Sequence, residues 1–127
     1  MLRRTVLGAA TALPFTRVAQ AQTDFPTRAI TMVVAFPPGG QADLAARPVA
    51  AAMERILRQP VVVQNRGGAA GAIGNTFVAR APADGTTRLM ALSSLAEIPE
   101  AEKLFGRTPP YTEDQFAPIA LVNADPT

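Results

Sequence analysis

Residues 30–57 read ITMVVAFPPGGQADLAARPVAAAMERIL, and the change of rhythm inside this stretch decides the fold. Its first seven residues, 30–36, are apolar and rich in β-branched side chains, and Pro37, Pro38, Gly39 and Gly40 close them off, the pattern of a buried strand running into a turn. Beyond the turn the period lengthens. Across 42–57, Leu44, Ala45, Val49, Ala52, Met53, Ile56 and Leu57 recur at steps of three and four, which predicts an amphipathic helix. Arg47, Glu54, Arg55 and Arg58 fall largely off that stripe. Pro48 lies within the first two turns, where its missing N–H does less harm than deeper in a helix.

The same phrase then repeats downstream. Gln59-Pro60 ends the helix, and Val61, Val62 and Val63 begin a second strand whose unbroken apolar character predicts a parallel strand covered on both faces. Residues 65–74 (NRGGAAGAIG) form a glycine-rich turn. Ala72, Ile73, Phe77, Val78 and Ala81 support a second helix that stops at Pro82. Asp84-Gly85 is a turn, and residues 88–92 (RLMAL) are a third strand. Two strand–helix–strand units in succession predict an α/β fold with right-handed crossovers and a parallel sheet. Further on, residues 99–105 read as a short helix, 106–115 as a polar connection containing prolines, and 116–122 (FAPIALV) as one more strand.

Upstream, residues 1–21 have the layout of an export signal. Arg3 and Arg4 supply the charged start, residues 5–15 an apolar run, and Ala19-Gln20-Ala21 the small–bulky–small site that a signal peptidase accepts. The run is too short for a spanning helix, which needs about 20 residues. Cleavage is expected before Gln22, by either the general secretion or the twin-arginine route, which places the remaining domain, 22–127, in the periplasm. Removing the leader also changes the charge. Arg3, Arg4 and Arg17 are three of the twelve basic residues, and none of the ten acidic ones precedes Gln22, so the rest of the chain carries a net charge of −1. The remaining arginines are scattered, and a nucleic-acid partner is not expected.

The chain has no histidine and no cysteine. It cannot form a Ser-His-Asp or Cys-His unit, a usual zinc site or a disulfide, so its core alone must hold it in an oxidising compartment. No catalytic residue, metal ligand or cofactor is assigned. What the chain does offer is two glycine-containing turns, each leaving a strand and entering a helix. In a parallel sheet both fall at the carboxyl edge, where ligands of open α/β sheets sit. Unpaired amides at a helix start, with the positive end of its dipole, suit an anion. The candidate ligand residues are therefore Pro37, Pro38, Gly39, Gly40 and Gln41 at the first turn, Gly71, Ala72, Gly74 and Asn75 at the second, and Ser93 and Ser94 after the third strand. Asp43 is either a ligand residue or, in the favoured reading, a cap for the first helix. Arg66 is a surface arginine beside the second turn that a ligand carboxylate could reach. A nucleotide-binding α/β enzyme domain is the alternative, but Gly68, Gly71 and Gly74 have the wrong spacing for a dinucleotide turn, and no acidic residue ends the third strand.

Three blocks, 35–43 (AFPPGGQAD), 61–74 (VVVQNRGGAAGAIG) and 116–122 (FAPIALV), resemble in order and spacing the receptors of tripartite tricarboxylate transporters, the Bug receptors. The resemblance runs from Phe25-Pro26 to about Val122. It implies one parallel-sheet lobe of a type II periplasmic binding protein, a monomeric clam shell that closes on a small carboxylate or dicarboxylate and docks on the membrane components of its transporter. It implies no cofactor. In that family the turns matching 37–40 and 71–74 line the first lobe's side of the cleft. Three departures stand out: Gln41-Ala42 where a hydroxyl residue commonly follows the double glycine, Ala83-Asp84-Gly85-Thr86 in place of Pro-Asp-Gly-Tyr, and a longer 99–110 segment. The second lobe is expected to be missing, so that 22–127 is a partial first lobe that binds ligand weakly or not at all by itself.

Overall fold

The computed structural model describes residues 25–122. The proposed export signal, residues 1–21, lies outside them. The elements run β1 (Ile30–Val34), α1 (Gln41–Leu57), β2 (Val61–Asn65), a 3-10 turn (Ala69–Gly71), α2 (Ala72–Ala79), β3 (Thr87–Met90), α3 (Ser94–Leu104) and a second 3-10 turn (Glu113–Gln115). The three strands form one parallel sheet in the order β2-β1-β3, with Ile30 beside Val61 and Thr31 beside Thr87. The fold is the α/β class that the strand–helix alternation predicts.

Alternation along β1 explains why it sits in the middle. Ile30, Met32 and Val34 point to one face and join Ala42, Ala46, Ala50 and Val61 in the core beneath α1. Val33 and Ala35 are equally buried, on the opposite face. There Gly74 of α2 settles directly on Ala35: a side-chain carbon added to Gly74 would lie 2.7 Å from Ala35 Cα. Glycine is what permits that approach. Helix α1 continues through Pro48 and ends at Arg58, whose amide still bonds to Glu54 O at 2.9 Å and whose left-handed φ of 54° then turns the chain out of the helix.

Three expectations need correcting. Strand β2 is covered on one face only: Val61 and Val63 pack beneath α1, whereas Val62 is 47% exposed and Gln64 is exposed. It is an edge strand, and its run of valines reflects strand propensity more than burial on both sides. Helix α3 begins at Ser94, five residues before Pro99, because Ala96 and Glu97 close a first turn on Ser93 O at 3.0 and 3.3 Å. Pro99 is therefore buried inside the helix and does not start it. Residues 116–122 form no strand. They run unpaired, with Ile119 73% exposed and Pro118 removing a ladder donor.

Candidate functional site

All three strands end at the same edge, and three turns leave it. Gly67 packs on the first turn so closely that an added carbon would lie 3.2 Å from Pro37 N. A carbon on Gly71 would lie 3.2 Å from Phe36 Cζ, 3.4 Å from Ser94 Oγ and 3.5 Å from Ala35 O. The turns after β1, β2 and β3 therefore converge on one spot. The sequence reading located the first two and placed Ser93-Ser94 after the third strand, without recognising that these two serines open a helix.

The amides of the two glycine turns are not equally available. At the first turn Gly39, with φ of 80°, donates its N–H to Asp43 Oδ2 at 2.9 Å, and Gly40 N faces Pro37 O at 3.4 Å. The first intrahelical bond of α1 runs from Leu44 N to Gly40 O, so among the described residues the amides of Gln41, Ala42 and Asp43 meet no acceptor. At the second turn Ala69, Ala70 and Gly71 take positive φ values of 47°, 55° and 101°, winding a 3-10 turn in which Gly71 N bonds to Gly68 O and Ala72 N to Ala69 O. Two of that turn's donors are thereby spent, while the amides of Ala69 and Ala70 meet no backbone acceptor among the described residues. The two turns thus differ in which amides are spent: at the first they are those of Gly39 and Gly40, ahead of α1, and at the second those of Gly71 and Ala72, where α2 begins. Pro37 and Pro38, both exposed, form the outer rim of the first turn.

Asp43, in the first turn of α1, is 2% exposed. Its carboxylate accepts from Gly39 N, from Arg47 Nε and Nη2 at 2.9 and 3.0 Å, and from Asn65 Nδ2 at 2.9 Å. The Arg47 guanidinium, then the Gly39 amide and the Asn65 side chain, hold this carboxyl well below the usual carboxylate range. The side chain holds the turn ahead of α1 through Gly39 N, and it caps no amide of the helix itself.

Ser94 Oγ is buried and has no partner among the described residues. Asn75, by contrast, is drawn inside: it is 1% exposed and its Nδ2 donates to Tyr111 Oη at 3.0 Å. Tyr111 in turn donates to Ser94 O at 3.3 Å. Asn75 thereby links α2, through Tyr111, to the start of α3, while its own Oδ1 is buried without a partner among the described residues. Sequence reading missed Tyr111, the chain's single tyrosine, because it sits in a polar segment with no periodicity. Burial pushes its phenol upward, and the ring of Phe116 meets its ring edge-on at 5.6 Å.

A groove of about 530 Å³ lies elsewhere, along α2 among Arg66, Ile73, Phe77 and Arg80. Arg66 sits over the Phe77 ring at 3.8 Å from its centroid, so it turns toward this groove.

The model of the tripartite tricarboxylate transporter family receptor matches residues 45–127. The protein BugT of Bordetella pertussis is 41% identical over 102 residues, covering 80% of this chain and 31% of its own. Among solved structures, the periplasmic binding protein BugD is 49% identical with a TM-score of 0.50, over 51% of this chain and 22% of its own. Rpa4515 of R. palustris, solved with adipate, is 44% identical with a TM-score of 0.51, over 52% of this chain and 22% of its own. MatC of Rhodopseudomonas palustris, solved with bound malate, is 43% identical with a TM-score of 0.50, over 51% and 22%. The chain spans about a third of the length of the curated relatives it matches. With its parallel sheet, its converging turns and this match over most of its residues, the chain belongs to the receptor family of the tripartite tricarboxylate transporters.

Proposed function

We propose that the three turns form one wall of a carboxylate site in an extracytoplasmic solute receptor, exported through residues 1–21 and serving the membrane components of a tripartite tricarboxylate transporter. The observation that carries this reading is the occurrence, at an edge where three turns meet, of amides at the start of α1 and a buried hydroxyl, Ser94 Oγ, that have no partner among the described residues. Backbone N–H groups at a helix start hold a carboxylate without a charged side chain, and the dipole adds to the attraction. Gln41 and Ala42 donate through their backbones, so the missing hydroxyl after the double glycine removes a side-chain donor and leaves this arrangement intact. The adipate and malate held by the two similar R. palustris proteins support a small dicarboxylate as the ligand class. The role is binding, by a monomer and without a cofactor.

One wall binds weakly. Calorimetric titration of the chain with malate and adipate is expected to give dissociation constants around the millimolar range, with no response to NAD or ATP. Binding of either nucleotide in preference to the dicarboxylates would overturn the proposal in favour of an α/β enzyme domain.

A further inference from the structure

We infer that Asp43 is the positioning residue of this site, fixing the turn at 37–40 so that the amides of Gln41 and Ala42 stay free for a ligand; the inference rests on the receptor reading. A buried carboxylate beside a helix start would ordinarily oppose an anion site, since it competes for the same amides and repels the same charge. Here the geometry removes both conflicts. The carboxylate takes only the Gly39 N–H, one residue outside the cap, at 2.9 Å. Its charge is matched by the two-pronged Arg47 pair from the next turn of α1. Its remaining donor, Asn65 Nδ2, comes from the end of β2 and also reaches Phe36 O at 3.1 Å. One carboxylate thereby ties the β1 turn, the helix and the end of β2 together. With four donors spread over its two oxygens, the group is spent on the protein itself and has no further call for a ligand.

The consequence is testable through a residue that neither substitution alters. Amide resonances of the isotopically labelled full chain are followed during titration with malate, in the wild type, Asp43→Ala and Asn65→Ala. In the wild type, malate is expected to shift Gln41 and Ala42. In Asp43→Ala the Gly39 resonance moves before malate is added, and affinity falls roughly tenfold while the β1 and β3 amides stay where they were. Asn65→Ala, which keeps the Arg47 pair, moves Gly39 less and weakens malate roughly threefold. Variants that stay folded and bind malate as the wild type does would overturn the inference and leave the receptor reading standing. If Asp43→Ala does not fold, Asn65→Ala decides alone, and an unchanged malate affinity there overturns it. A wild-type chain whose Gln41 and Ala42 ignore malate would sink the receptor reading and this inference with it.

Discussion

The turns that leave β1 and β2 are both glycine-rich, both run from a parallel strand into a helix, and spend different backbone donors. The first gives one amide to Asp43 and leaves the first-turn amides of α1 without acceptors among the described residues. The second winds through three left-handed residues and bonds to itself. Left-handed alanines cost about 1–2 kcal/mol each, and Ala69 and Ala70 take that shape between Gly67, Gly68, Gly71 and Gly74, of which all but Gly68 pack against residues 35–37. What separates the turns is a side chain: an acid two residues into one helix, and no such group in the other. A glycine count treats them alike, while a donor-by-donor account does not.

The sharpest way to break the contrast is at Gly74, on which the second turn's packing depends. Its added carbon would lie 2.7 Å from Ala35 Cα and from Arg66 O, both backbone atoms that cannot swing aside. Gly74→Val is expected to cost about 3 kcal/mol in urea unfolding. A smaller effect follows from Tyr111→Phe. It leaves Asn75 Nδ2 and Ser94 O without their partner in a buried place, and the same measurement should show a loss of about 1–2 kcal/mol.

The smallest effect concerns pH and tests the first turn. The folded-state value of Asp43 is depressed below its ordinary 3.8, chiefly by Arg47, so its contribution to stability is present above pH 3.8 and is lost as pH falls toward the lower folded value. Arg47 is 55% exposed, and solvent screens the pair, which keeps the contribution modest. Urea midpoints compared at pH 7 and pH 3 should fall less in Asp43→Asn than in the wild type. Asp84 and Glu102 are depressed as well, by Thr86 and Arg107 respectively, so the wild-type slope is shared and only the difference between the two proteins reports on Asp43.

Much of the fold was legible because period and punctuation agree. The seven-residue apolar run closed by two prolines and two glycines became β1 and its turn, and the three-and-four spacing became α1. Legibility failed where a residue's meaning depends on what lies beside it in space. The three valines of β2 look the same whether one face or both are covered, and residues 116–122 have the composition of a strand but no neighbour to pair with among the described residues. Pro99 marks a helix start by habit, yet here α3 had already begun. At the site, the sequence indicated both glycine turns and singled out Asp43, though it read that side chain as a helix cap and not as an acceptor for the turn ahead of the helix. It could not show which amides are already taken, nor that Asn75 is held inside by a tyrosine 36 residues away.

The most direct measurement is a crystal structure of the chain with malate. The account predicts one carboxylate oxygen within about 2.8–3.0 Å of the Gln41 and Ala42 nitrogens, with Ser94 Oγ turned toward it. Malate seated instead between Arg66 and Arg80 in the groove along α2, with the α1 amides facing only solvent, would contradict it.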